Sequence, residues 1–257
     1  MIGPATMPRR ALPALVLPLL LSLALPAAAQ GAASAQDPDG WSWVVVPYLW
    51  ATSVETDLRD GASPPGTDSA FSDIVSKIDM ALQLHVEAQG DRFGAFADVT
   101  YLALSDESSF ANATSDASLD VAMIELAGVW NLAPEHYDGL DLFAGIRHIA
   151  NEAEIRIDPA DPAIPAFEPG LDIGLTDFML GARYSSNWSE RWGTTLRIDG
   201  AGGDTEGAIN ASALLRYRVG NGSWIFGYRY MQVELGEDER TLDLTLSGPV
   251  VAFSFGL

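Results

Sequence analysis

Six arginines sit among mainly apolar neighbours: Arg147, Arg183, Arg197, Arg216, Arg218 and Arg229. Arg147 lies beside Ile146, Arg197 between Leu196 and Ile198, and Arg229 between Tyr228 and Tyr230. An earlier group has the same setting with the opposite charge. Glu87 lies between Val86 and Ala88, Asp98 between Ala97 and Val99, and Glu125 between Ile124 and Leu126; His85 precedes Glu87 by two. A guanidinium is a planar fork that meets carboxylates through paired hydrogen bonds, and it keeps its charge when buried. If the chain brings the two groups together, the expected network is Glu87, Asp98 and Glu125 facing Arg147, Arg183, Arg197, Arg216 and Arg229. Such a network either lines a path for ions and small solutes or closes one.

Other chemistries find less support. Nucleophilic hydrolysis needs a nucleophile, a base and an orienting group within hydrogen-bond reach. The three histidines are His85, His136 and His148, and none has a recognisable serine partner. No catalytic residue is assigned, and no cofactor is expected. Oxygen ligands for a metal occur in acidic stretches: Asp57, Asp60 and Asp68, and Glu237-Asp238-Glu239. Neither has the spacing of a known calcium loop, so both read as solvated acidic surface and no metal site is assigned.

The elements that position these charges alternate with period two, as strands with unlike faces do. Met80, Leu82, Leu84, Val86 and Ala88 alternate with Gln83, His85 and Glu87; Gln89-Gly90-Asp91 then reads as a hairpin turn. The pattern predicts strands over 41–58, 79–88, 92–104, 119–132, 139–157, 171–186, 191–202, 208–219, 223–235 and 241–257. Residues 105–118 and the proline-rich stretch 158–170 read as loops. Residues 59–78 read as a loop that either folds into the barrel mouth as a plug or forms a surface turn. The connections at 59–78, 105–118, 158–170, 203–207 and 236–239 fall at one end, and short ones fall at the other. Long loops on one side and tight turns on the other are the asymmetry of a membrane-spanning barrel.

The last strand, TLDLTLSGPVVAFSFGL, alternates Leu242, Leu244 and Leu246 with Asp243, Thr245 and Ser247. After Gly248-Pro249 the phase shifts, and Val251, Phe253, Phe255 and Leu257 become the apolar set. This resembles the closing strand of bacterial outer-membrane β-barrels, which carries the signal read by the barrel-assembly machinery. That family usually ends in Phe, where this chain has Leu257. The Pro47-Tyr48-Leu49-Trp50 tetrad, followed by an acidic loop and Phe71-Ser72-Asp73-Ile74-Val75, resembles a porin-like group of small Gram-negative outer-membrane barrels. The resemblance implies outer-membrane lipid, lipopolysaccharide and the assembly machinery as partners.

Composition agrees with export. Arg9 and Arg10 precede the apolar run Ala11–Pro26, and small residues follow at Ala27–Ala29 and Ala33–Ala35. This is the layout of a secretory signal peptide, with cleavage after Ala29 or Ala35. Residues 1–35 are therefore read as signal peptide and spacer, and 36–257 as the barrel domain. There are no cysteines, which removes a disulfide framework and a lipoprotein anchor. A net charge of −21 argues against nucleic acid. The expectation is an all-β chain: a single antiparallel up-and-down transmembrane barrel of about ten strands, with eight or twelve as alternatives. Its function is expected to be non-enzymatic, as an envelope protein or narrow porin-like pore. A ligand-binding or adhesive surface on the long acidic loops is the alternative, and an outer-membrane enzyme the remote one. The sequence carries no sign of oligomeric state.

Overall fold

A computed structural model describes residues 40–58, 75, 77–110, 113–132, 137–161, 165–237 and 240–256. The predicted signal peptide, residues 59–74 and 76 of the proposed plug segment, His136 and the side chains of both acidic candidate metal clusters lie outside the described residues. All the strands belong to one compact unit, Ser34–Leu257.

The chain is all-β. The strands are β1 (Ser42–Trp50), β2 (Ser53–Leu58), β3 (Ile78–Gln89), β4 (Phe93–Phe110), β5 (Ala113–Asn131) and β6 (Gly139–Pro159), then β7 (Gly170–Asn187), β8 (Trp192–Gly203), β9 (Gly207–Val219), β10 (Gly222–Glu237) and β11 (Arg240–Gly256). From β3 to β11 each strand pairs antiparallel with the next, and β11 pairs with β1 to close the barrel. Closure pairs the edges of the sheet with each other, so the barrel is held by its own ladder in a chain without cysteines.

β2 continues β1 in the same register against β11, with Trp50 opposite Val250 and Ser53 opposite Ser247. The two are therefore one stave interrupted at Ala51-Thr52, and the barrel has ten. Gly248 permits this close pass: a Cβ there would lie 1.9 Å from the Ala51 carbonyl oxygen. Pro47 ends the contact with β3. Pairing of β1 with β3 stops at Pro47 opposite Leu84, because proline has no N–H for the ladder. Three residues on, the Trp50 N–H donates instead to the Gln83 side chain at 2.5 Å.

The polar stretch 105–118 is not a loop. β4 and β5 pair without interruption from Phe93 opposite Trp130 to Phe110 opposite Ala113. Ser105, Glu107, Ser109, Thr114, Asp116 and Ser118 are exposed and take the outward positions of this ladder. Polar residues suit a strand whose outer face stands in water rather than lipid. β6 likewise runs on to Pro159, and an isolated bridge joins Ile157 to Phe167.

Two bands divide the outer surface. Nearer the tight turns it is apolar: Phe178 is 80% exposed and Leu180 70%, and Leu126, Ile146, Leu196, Ile198 and Phe226 are also exposed. Trp41, Trp43, Trp130, Trp188, Trp192 and Trp224 stand at the turn side of this band. Such an aromatic girdle marks an interface between hydrocarbon and water. Nearer the loops, the outward positions become Glu107, Asp116, Asp120, Glu152, Glu154 and Asp172. Several inward positions of the same strands become apolar, among them Leu102, Leu104, Leu119 and Val121. β11 makes the inversion plain. Its ladder with β10 is unbroken from Gly222–Phe255 to Glu237–Arg240, so Val251, Phe253 and Phe255 point outward while Leu244 and Leu246 point inward.

Candidate functional site

The interior of the membrane band is filled by charged side chains in stacked layers. Period two sends Glu125, Arg147, Asp177, Arg183, Arg197, Asp199, Asn210 and Arg229 to one side of the sheet, and closure makes that side the lumen. Register then decides who meets whom. Glu125 lies directly opposite Arg147, and Asp199 opposite Asn210.

At the centre, Glu125 and Arg147 are fully buried at 0% exposure. Arg147 donates from Nε and Nη2 to Glu125 Oε1 at 2.9 and 2.8 Å, and from Nη2 to Asp199 Oδ1 at 2.5 Å. Arg197 bridges the same two acids, reaching Glu125 Oε2 at 2.9 Å and Asp199 Oδ2 at 2.8 Å. Arg229 approaches Glu125 Oε1 at 3.3 Å and donates to Asn210 Oδ1 at 2.9 Å; Asn210 donates in turn to Asp199 Oδ2 at 2.6 Å. Three guanidinium groups thus share two carboxylates from strands far apart in sequence. Removing water from these ions is costly, and only this dense pairing offsets it.

A second layer lies nearer the turns. Arg183 makes a two-pronged contact with Glu87, at 2.7 and 2.6 Å, and bonds Asp141 at 2.7 Å. Gln89 donates to Glu87 at 2.8 Å. His85 stands between two acids, its Nδ1 3.1 Å from Asp98 and its Nε2 3.2 Å from Glu87. Both ring nitrogens donate only as an imidazolium, which suits two carboxylate partners. Tyr48 completes the layer, donating to Asp98 at 2.7 Å. Between the layers, the Arg197 guanidinium lies over Phe96 and Phe143, 5.2 and 4.9 Å from the ring centroids. These cation–π contacts dress the planar faces that carboxylates leave uncovered.

At the turn end, Tyr137 ties its loop to β1 and β3. Its backbone N–H donates to the Gln89 side chain, and its hydroxyl donates to the Ser42 carbonyl, each at 3.1 Å. Burial pushes the Tyr137 hydroxyl up to about 12, so it remains a donor through the ordinary pH range. On the loop side of the charged layers lies an apolar one. Trp50, Met123, Met231, Val233 and Val250 pack there, with the Arg229 guanidinium 4.6 Å from the Trp50 ring centroid.

Seven of the eight expected network residues lie in these layers. Arg216 does not. It sits at the turn end and donates to Asn187, because β9 carries it two turns of the pleat beyond the charged level. Asp98 meets His85 and Tyr48 rather than an arginine. The sequence reading did not single out Asp141, and it left Asp177, Asp199 and Asn210 without a role. The spacing held a signal for Asp199: Arg197-x-Asp199 places both on one face of a strand, with Arg197 Nε 2.8 Å from the acid.

No family model matches the chain, and no curated protein matches it. Solved structures do. The outer membrane protease OmpT of Escherichia coli superposes with a TM-score of 0.50 at 10% identity, covering 86% of this chain and 98% of that one. The translocator domain of the autotransporter NalP from Neisseria meningitidis gives 0.45 at 11% identity, over 86% of this chain and 90% of that one. Ail, the attachment invasion locus protein of Yersinia pestis, gives 0.38 at 7% identity, over 83% and 99%. At 10% identity the likeness to OmpT concerns the fold alone, that of an outer-membrane β-barrel.

Proposed function

We propose that this chain is a non-enzymatic, closed outer-membrane barrel that serves as an envelope component rather than an open pore. The observation that carries the reading is the fully buried Glu125–Arg147–Asp199 centre, cross-braced by Arg197 and Arg229. Central ions at 0% exposure support a lumen filled by side chains rather than an open channel. Side chains commonly fill barrels of this size. The apolar outer band and its tryptophan girdle support insertion in a membrane, and the carboxylates above the band suit a hydrated layer beside lipopolysaccharide, where divalent cations would bridge acid to phosphate. The assembly machinery would read β11.

Fractionation and solute permeation test this together. The protein should enter the outer-membrane fraction, require detergent for extraction and migrate faster on gels unless boiled. Proteoliposomes carrying it should swell in small sugars no faster than empty liposomes. A detergent-independent periplasmic protein would overturn the membrane reading, and rapid swelling would overturn the closed lumen.

A further inference from the structure

We infer that the turn between β8 and β9 is a latched lid beside the charged centre, with Asp177 as its catch and Arg147 as the partner that receives Asp177 when the lid lifts. The inference rests on the closed-lumen reading and adds a moving part to it. β8 ends at Gly203 and β9 begins at Gly207. Gly203 stands level with Asp177, while β7 runs on past that level to Gly170 in its ladder with β6. The turn therefore sits at the height of the charged layers, below the loop end of β7.

Its tip points inward. Turn tips normally stand in water, yet Thr205 is only 5% exposed. Its N–H donates to Asp177 Oδ1 at 3.0 Å and its hydroxyl to Asp177 Oδ2 at 2.7 Å. Ties on either side keep the turn in place. The Asp204 N–H donates to the Thr176 carbonyl at 3.2 Å, the Thr176 N–H to the Asp204 carboxylate at 2.8 Å, and the Glu206 N–H to the Glu234 carbonyl at 3.0 Å. Gly203 lets the turn lie this close, since a Cβ there would be 2.8 Å from the Thr176 carbonyl oxygen. The outer side is different. A groove of about 540 Å³ runs along the base of the turn over Gly202 and Gly207, where a Cβ would meet nothing within 4 Å. The turn is thus held from the inside and has room on the outside.

The catch has a second partner within reach. Asp177 lies directly opposite Arg147 in the β6–β7 ladder, where facing Cβ atoms stand about 4.5–5.5 Å apart. Both Asp177 oxygens are nonetheless given to Thr205. Nη1 of the fully buried Arg147 finds no acceptor among the described residues. A buried carboxylate gives up its donors only where another donor replaces them. Arg147 supplies that replacement. The chain therefore has two compensated arrangements: lid in, with Asp177 on Thr205, and lid out, with Asp177 on Arg147. Two discrete pairings of one buried group make a bistable element.

Amide hydrogen exchange followed by NMR on the purified barrel in zwitterionic micelles tests the lid. In the wild type the Thr205 N–H should exchange by local opening, at least tenfold faster than the slowest ladder amides of β7 and β8 and without response to low urea. Thr205→Val removes the hydroxyl and should speed exchange at position 205 at least tenfold further, leaving those ladder amides unchanged. Thr205→Ser keeps both donors and should match the wild type. Asp177→Asn should slow exchange at position 205 severalfold, because the amide still bonds Thr205 but cannot form an ion pair with Arg147 in the lifted state. Were Asp177 only an anchor, loss of its charge would speed that exchange, and such a result would overturn the exchange of partners. A Thr205 N–H that exchanges only together with the ladder would overturn the lid itself. Heat-modifiable migration confirms that each variant is folded. Conductance is recorded separately: steady steps from the wild type would overturn the closed lumen, whereas a silent wild type with a fixed turn would overturn the lid alone.

Discussion

Glu125→Ala should lower the stability of the folded barrel by about 3–5 kcal/mol, the usual cost of removing one partner from a buried ion cluster. The reason lies in how many groups depend on this carboxylate. Arg147, Arg197 and Arg229 all reach it, at 2.8, 2.9 and 3.3 Å. With alanine in its place, Asp199 alone must serve both Arg147 and Arg197, and Arg229 keeps only Asn210. Three guanidinium groups then face one another in a space from which water is excluded. The barrel can loosen or admit water, and either response shows as an earlier midpoint in urea unfolding followed by tryptophan fluorescence. Arg216→Ala supplies the contrast. Its guanidinium meets a neutral amide at the turn end, so its loss should cost only about 1 kcal/mol. Equal effects of the two substitutions would mean that Glu125 is not the centre of a buried network.

Leu180→Arg should cost about 2–4 kcal/mol, because it sets a charge in the middle of the lipid-facing band. Leu180 is 70% exposed, yet its neighbour Met179 is buried at 2%. In a water-soluble barrel the same substitution would add a solvated surface charge and change stability by less than about 0.5 kcal/mol. The size of the effect, measured by reversible unfolding from lipid bilayers, therefore separates a membrane face from a wet one. A near-zero change would contradict the assignment of this band to hydrocarbon.

Much of this architecture was legible in the chain because period two is a strong signal wherever lipid lies on one side and charges on the other. Arg147 among Ile146 and its neighbours, or Arg229 between two tyrosines, could point only inward. The ten staves follow from that alternation. The signal fails where lipid ends. Along Ser105–Ser118 the outer face is wet, so serine and acid replace the greasy residues, and the stretch takes on the composition of a loop while its backbone remains in the ladder. The phase shift at Gly248-Pro249 was legible, but not its consequence: the ladder runs on without a shift, so Leu244 and Leu246 face the lumen while Val251 and Phe253 face outward. The charged partners were legible only by type. Which acid meets which arginine depends on strand stagger and on distance across the lumen, and neither is written in local spacing. Arg216 shares its neighbours' character but lies at the wrong height. Asp141 fell on a predicted strand but was given no role, although it is buried at 2% and bonds Arg183. The break after Pro47 was visible as a proline. Its consequence, a stave that leaves β3 and continues along β11 alone among the described pairings, required the registers.

The central claim is that paired ions seal the lumen, and single-channel recording in planar bilayers tests it most directly. Purified wild-type protein, shown to be inserted by its heat-modifiable migration after recovery, should give no discrete steps at moderate voltage in molar potassium chloride. Glu125→Ala, if it remains inserted, should give flickering steps as water enters around the uncompensated arginines. Stable, uniform conductance from the wild type would contradict the claim, since ions cannot pass a Glu125–Arg147 centre that is fully buried.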